Sequence, residues 1–187
     1  MLLKRGAIIM NSSGEKYSLS RFNATGGITV LLTIFFLYLA VVLPTTRIFL
    51  FSLSTVFISV MVIEFNNKAA FLTFIAASLL GLIIIPNKLL MLPYIIYFGY
   101  YGIIKSLAEK RNCLTVEWLI KYFSYNIALL IFYLLNTRIL SLPLFNTDIS
   151  VYILIISAEI YFLIYDYCYS IAVSYYMRLL RGIIKSK

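Results

Sequence analysis

The sequence predicts an all-α integral membrane protein, a compact bundle of six transmembrane helices in a single domain over residues 1–187. The chain is 63% hydrophobic and only 12% charged, which is far more apolar than an ordinary soluble domain of this length. Its apolar segments also run close to the roughly 20 residues that a helix needs to cross a bilayer, and they recur with short polar breaks. Together these two observations predict a protein that crosses the membrane several times.

Hydropathy, with breaks at charged residues, Pro and Asn, predicts six spans. The connections after the first three spans, "PTTR", "NNK" and "PNK", are only a few residues long. Neighbouring helices must therefore run antiparallel or nearly so. The predicted spans are 26–44, 48–65, 69–85, 89–105, 117–136 and 150–172, with basic flanks over 1–25 and 173–187.

The basic residues are distributed unevenly between the two sides of the predicted bundle. Six spans place both termini on one side, and all but three of the 16 Lys and Arg residues fall on that side. The three on the opposite side are Arg47, Lys88 and Arg138. Because cytoplasmic connections carry the excess of Lys and Arg, we expect cytoplasmic termini and a multi-pass protein of the cell membrane, in a bacterium.

Composition argues against several classes of function. The net charge of +9 comes from basic residues at the ends of spans, and not from the continuous basic face that nucleic-acid binding requires. The chain has no His, and its two Cys residues lack metal-type spacing. No nucleophile with a base is recognisable. We therefore expect no nucleic-acid partner, no metal, no cofactor and no enzymatic activity.

Two acids lie in the sixth predicted span, in the stretch "AEIYFLIYDYCYS". A rise of about 1.5 Å per residue from Ser150 puts Glu159 about 14 Å deep and Asp166 about 24 Å deep in a core about 30 Å thick. At the inner interface Asp166 can reach headgroup water or a neighbouring base, so we expect an ordinary interfacial acid there. Near the midplane Glu159 must face protein or a cavity.

The face of the sixth span that holds Glu159 is polar along its length, and such a seam points into the bundle. A functional site and a hydrogen-bonded structural carboxyl group are both compatible with Glu159 in this position. The seam consists of Tyr152, Glu159, Asp166, Ser170 and Ser174.

The three outer cations, Arg47, Lys88 and Arg138, each occupy a different outer connection, beside Thr and Asn residues. If they converge on one mouth, they suit an anionic or carboxylate-bearing small molecule. Alternatively, each one extends separately to a lipid phosphate.

The fourth span reads "LPYIIYFGYYGIIK". Tyr94 and Tyr97 lie at helical spacing on it and are candidates for lining a ligand cavity by ring stacking and hydroxyl bonds. Core packing is the alternative for both residues.

A resemblance to a known family lies in residues 42–110, which read "VLPTTRIFLFSLSTVFISVMVIEFNNKAAFLTFIAASLLGLIIIPNKLLMLPYIIYFGYYGIIKSLAEK". An outer turn leads here into a short second span, and a tight inner turn leads into a small-residue third span that ends in Gly. The fourth span carries Pro and Gly. In these features, and in its size and six crossings, the chain resembles the substrate-binding S components of energy-coupling factor (ECF) transporters.

This resemblance implies a subunit that binds a vitamin, its precursor or a metal ion from outside and docks onto a transmembrane coupling subunit driven by cytoplasmic ATPases. It implies that Arg47, Lys88 and Arg138 contact the ligand and that Glu159 lines the floor of its pocket. Since the chain has no His, a nickel or cobalt ligand is not expected.

A second interpretation is a structural subunit of a membrane complex for envelope assembly or morphogenesis, with no ligand. In that case the aromatic faces and the small residues of the third span form the interfaces with partner proteins. Stabilisation by a ligand distinguishes the two interpretations, because only a binding subunit gains stability from a ligand.

Overall fold

A computed structural model describes residues 19–110, 113–135 and 151–185. The described residues are almost entirely helical and contain no β-strand, which confirms the predicted all-α class. Short 3₁₀ turns cover Pro44–Thr46 and Lys88–Met91, and a π-helical turn covers Tyr94–Phe98. The α-helices are α1 (Leu19–Val42), α2 (Arg47–Glu64), α3 (Asn67–Ile84), α4 (Tyr101–Glu109), α5 (Leu114–Leu135) and α6 (Val151–Lys185).

Five segments of the described chain are long and apolar enough to cross a membrane, and they correspond to the first five predicted spans. The fourth of these, Lys88–Glu109, combines the second 3₁₀ turn, the π turn and α4. Helix α6 covers the sixth predicted span and, with 35 residues, continues well beyond it. The architecture is that of a multi-pass helical membrane protein.

The breaks between the helices have local causes. Asn66 caps α3, because its Oδ1 accepts a hydrogen bond from the backbone N–H of Ala69 at 2.8 Å. In the same way Asn87 Oδ1 accepts from the N–H of Leu89 at 3.1 Å at the start of the second 3₁₀ turn. The Asn residues that marked span boundaries in the sequence thus act as helix caps.

The fourth span is not a continuous α-helix. In the π turn the N–H of Gly99 donates to the carbonyl of Tyr94, five residues earlier, at 2.7 Å. A Cβ atom at position 99 would collide with the ring of Phe74 on α3. Only Gly lets the backbone approach α3 this closely, and the extra residue in the turn accommodates the approach.

Helix α2 is the centre of the bundle, since it contacts α1, α3, α4 and α6. Its Ser54, Thr55 and Ser59 are buried, and each hydroxyl bonds to a carbonyl of its own helix. These small side chains let other helices come close while their polar atoms keep partners.

A row of hydrogen bonds, which we call the tyrosine ladder, joins α6 to α2. From one pair to the next, the residue number rises on both helices, so α2 and α6 run parallel. This is the direction expected for the second and sixth predicted spans of one bundle. The pairs are Tyr161 with Ser52, Tyr165 with Thr55, Tyr169 with Ser59 and Tyr176 with Glu64.

The small-residue face of α3 packs inside the chain. Ala69, Ala70, Ala77 and Gly81 are buried, and a Cβ atom at position 81 would lie 3.2 Å from Sδ of Met91. This face is therefore occupied by the protein's own helices and is not an open surface for another protein.

Candidate functional site

The structure places Arg47 and Lys88 at helix ends. Arg47 Nε donates to the carbonyl of Ala40 near the end of α1 at 3.1 Å. Lys88 Nζ donates to the carbonyls of Leu82 and Ile85, the latter at 2.8 Å, at the end of α3. Cations in this position satisfy terminal carbonyls and favour the negative end of the helix dipole. The third outer cation, Arg138, lies outside the described residues.

Tyr94 and Tyr97 are both in the core, with 0% and 5% of their surface exposed. Each hydroxyl group is buried and has no hydrogen-bond partner among the described residues. A buried polar atom without a partner costs about 1–3 kcal/mol. The rings therefore pack as core residues do, while their hydroxyls have capacity for a group that the described chain does not supply.

Tyr125 lies near Glu159 and also packs against Tyr97. The Tyr125 hydroxyl donates to the carbonyl of Ala158, the residue before Glu159, at 2.7 Å. The ring of Tyr97 packs edge-on against that of Tyr125 with centroids 5.3 Å apart. Glu159 Oε2 is buried and, within the described part of the chain, unpartnered. The side chain of Tyr152, the remaining candidate, lies outside the described residues.

Unpartnered buried side-chain atoms are few in the described chain, which makes their distribution informative. Three of the six belong to residues that the sequence had singled out, namely Tyr94, Tyr97 and Glu159. The other three are on Thr33, Asn67 and Ser78.

A second group of polar residues surrounds Asp166, which is only 6% exposed. Lys105 of α4 forms an ion pair with Asp166 Oδ1, and Lys121 of α5 lies 3.5 Å from Oδ2. The hydroxyl of Tyr101 donates to Oδ1 at 2.5 Å. Glu117 pairs with Lys121 at 2.7 Å. We call Lys105, Glu117, Lys121 and Asp166 the ionic cluster.

Spacing along each helix explains how the ionic cluster forms. Residues four apart share one face of a helix. Glu117 and Lys121 have that spacing on α5, Tyr101 and Lys105 have it on α4, and Asp166 and Ser170 have it on α6. Each helix thus contributes one polar pair, and the pairs meet where the three helices pack.

The ionic cluster borders a cleft of about 310 Å³. Trp118 and Tyr167, both exposed, form part of its wall, together with Leu163 and Val173. This volume is at the lower end of the range of small-molecule sites, about 300–1,000 Å³.

The ionic cluster was not predicted from the sequence as a site. In the sequence, Lys105 and Lys121 were assigned only to the side of the termini; the structure adds that each is buried, with 2% of its surface exposed. Of the two partners expected for Asp166, headgroup water or a neighbouring base, the structure supplies the base, since Lys105 and Lys121 flank the carboxylate inside the bundle. The only signal in the sequence was the four-residue spacing of polar pairs on three different spans.

The two groups differ in what they can do chemically. The charged groups of the ionic cluster pair with one another. Tyr94, Tyr97 and Glu159, in contrast, carry buried polar atoms without a hydrogen-bond partner among the described residues. Within the described ranges, no three His, Cys, Asp or Glu side chains lie close enough together to hold a metal ion.

Comparison of the chain with known proteins found no similar protein. No family model, no curated protein and no solved structure matches the chain.

Proposed function

We propose that this chain is the membrane-embedded substrate-binding subunit of a multi-component uptake transporter of the ECF type, with six spans and cytoplasmic termini. It binds a small carboxylate-bearing molecule that enters from the outer face. One observation supports this proposal above the others: the polar atoms of Tyr94, Tyr97 and Glu159 are buried and lack partners in the described chain.

A ligand carboxylate would give the hydroxyls of Tyr94 and Tyr97 an acceptor, and a hydroxyl or amino group on the same ligand would donate to Glu159 Oε2. Phenol hydroxyls are hydrogen-bond donors, and a carboxylate is an acceptor with about four lone-pair sites. Hydrogen bonds to a charged acceptor are stronger than neutral ones. The hydrogen bond from Tyr97 to a ligand carboxylate would therefore be strongest where water is excluded. The surrounding tyrosine and phenylalanine rings would enclose the apolar part of the ligand.

The outer cations have an indirect role in this proposal. Arg47 and Lys88 hold the ends of α1 and α3 through backbone carbonyls. Their charges at the outer mouth, with that of Arg138, raise the local concentration of an anion and so speed its entry. The proposed partner on the cytoplasmic side is a transmembrane coupling subunit with its ATPases.

The first experiment identifies the ligand and the partners together. Protein purified gently from native membranes would be analysed by mass spectrometry for small molecules and co-purifying proteins. We expect one recurrent carboxylate-bearing molecule, together with a coupling subunit. Envelope-assembly proteins without any ligand would instead support the structural-subunit interpretation.

The second experiment tests the site with that molecule. The chain and its Tyr97→Phe variant would be melted with and without it, because ligand binding to the native state raises the melting temperature. We expect Tyr97→Phe to bind about tenfold more weakly, the effect of losing roughly 1.4 kcal/mol. Tyr38→Phe, on the exposed side of α1, is the matched control. Equal affinity of all three proteins would exclude this site.

A further inference from the structure

Helix α5 leaves most of its surface uncovered by the rest of the chain. Of its 22 residues only Lys121, Tyr125 and Ala128 are buried. Their spacing of four and three residues puts them on one face of the helix, the face that packs into the bundle. The opposite face of α5 therefore meets either lipid or another protein.

One residue on this uncovered face of α5 is strongly polar. Asn126 is exposed, and among the described residues of the six predicted spans it is the only exposed amide or charged side chain. Measured from Leu114 and Leu135, the ends of α5, it lies about 18 Å and about 14 Å along the helix at a rise of about 1.5 Å per residue. Asn126 is thus near the middle of the membrane, where an exposed polar group is costly.

The amide of Asn126 uses only part of its hydrogen-bonding capacity within the chain. Its Nδ2 donates to the carbonyl of Tyr122, four residues earlier, at 3.0 Å. An Asn side chain has two N–H donors and an acceptor oxygen, so one N–H and Oδ1 have no bond to the described residues. The bilayer core holds no water that could take them, whereas a second membrane helix can.

Apolar residues flank Asn126 at the spacing of a helix-packing seam. Leu119, Phe123 and Leu130 are exposed, and with Asn126 they follow one another at intervals of four, three and four residues. A period of 3.5 residues keeps such side chains facing a second helix along its length, and a single Asn in the seam fixes the register of the two helices. We call these four residues the α5 seam.

We propose that the α5 seam is the interface of a homodimer, in which Asn126 of one copy bonds to Asn126 of the second copy. Two copies in one membrane have the same orientation, so a two-fold axis along the membrane normal brings identical residues together at the same depth. The amide is self-complementary, because each copy offers one N–H and one oxygen, whereas an apolar partner helix would leave both unpaired. The proposal does not depend on the function proposed above.

Energy transfer between copies labelled at the N-terminus measures this association in liposomes. The full chain would be diluted with increasing amounts of lipid, which gives the dissociation constant of the dimer in the membrane. We expect Asn126→Leu to dimerise about tenfold more weakly, because it removes the interhelical amide hydrogen bonds. Asn23→Leu replaces an exposed Asn of α1, and as the matched control it should dimerise like the unchanged protein.

Cysteine cross-linking locates the interface and identifies the occupant as a second copy. In a protein with Cys113 and Cys168 replaced by Ala, Leu130→Cys puts a thiol on the α5 seam. Ile131→Cys puts one at nearly the same depth on another exposed side of the helix. Mild oxidation should link two Leu130→Cys chains into a covalent dimer and leave the Ile131→Cys protein monomeric.

The proposal is overturned if the copies do not associate, if Asn126→Leu associates as strongly as the unchanged protein, or if Ile131→Cys cross-links as readily as Leu130→Cys. A monomer that instead holds a different membrane protein through Asn126 also overturns it. If Asn126→Leu does not fold, the pair of cysteine variants decides, and a cross-link specific to Leu130→Cys supports the homodimer.

Discussion

At Asp166 one buried carboxylate serves two lysines and a phenol. Each of these groups would be expensive to bury alone, and together they form a network whose members depend on one another. Such a network is sensitive to the loss of one member, because the remaining charges stay buried without compensation.

Asp166→Asn should therefore lower the free energy of unfolding by about 3 kcal/mol, since it leaves Lys105 and Lys121 without their shared counter-charge. Unfolding in detergent by a chemical denaturant would measure the loss. The double variant with Lys105→Met should recover part of it. If Asp166→Asn is as stable as the unchanged protein, the network does not hold the three helices together.

Two tyrosine hydroxyls form a natural matched pair. The hydroxyl of Tyr165 donates to Thr55 at 3.1 Å, whereas that of Tyr94 is buried without a described partner. In the ligand-free protein, Tyr165→Phe should cost about 1 kcal/mol, while Tyr94→Phe should be neutral or slightly stabilising. Thermal unfolding of both variants would compare them. An equal loss for the two would show that Tyr94 has a partner of its own.

At the scale of the helix, glycines determine how closely α4 approaches its neighbours. A Cβ atom at position 102 would lie 2.6 Å from the Tyr169 hydroxyl and 2.7 Å from Ser59 Oγ, two groups bonded to each other in the tyrosine ladder. At Gly27 of α1 nothing lies within 4 Å of a Cβ atom. Replacing Gly by Ala at each of these two sites thus distinguishes the effect of packing on stability from the effect of helix propensity.

Gly102→Ala should destabilise the protein by about 1–3 kcal/mol, because it forces α4 away from the ladder. Gly27→Ala should leave stability unchanged or raise it by up to about 1 kcal/mol, since Ala favours the helix. Melting temperatures of the two variants, measured side by side, would test this. A stable Gly102→Ala protein would mean that the neighbouring hydroxyls can move aside.

Helix boundaries were the part of the fold most readable from the sequence. The predicted spans 48–65, 69–85 and 117–136 correspond closely to α2, α3 and α5, because hydropathy and the Asn caps act locally. The π turn was not predicted, since it depends on the contact of Gly99 with Phe74 on another helix. The ionic cluster escaped prediction for the same reason, because the rotation of each helix about its axis decides which polar residues meet.

At the scale of the whole molecule, the parallel alignment of α2 and α6 limits the possible arrangements in the membrane. Two crossings of an alternating bundle run in the same direction only if an odd number of crossings lies between them. The three intervening spans, over α3, Lys88–Glu109 and α5, meet this condition. The direction of α6 is therefore compatible with six crossings.

Reporter fusions at residues 1 and 187 should accordingly report the same compartment, the cytoplasm, in agreement with the excess of basic residues there. An enzyme active only in the cytoplasm, fused at either end, would measure this, with a fusion in the connection after α1 as the control for the opposite side. Activity at one end only would contradict six crossings.

The tyrosine ladder also sets an order of events during biogenesis. Its partners lie 109 to 112 residues apart in the chain, so α2 is synthesised long before α6 can meet it. Until then, the ladder hydroxyls of Ser52, Thr55 and Ser59 can enter lipid at low cost, because they bond to carbonyls of their own helix. Helix α6 leaves the ribosome after α1 to α5 and thus completes the contacts of α2, so a chain halted before α6 would remain an open intermediate without the tyrosine ladder.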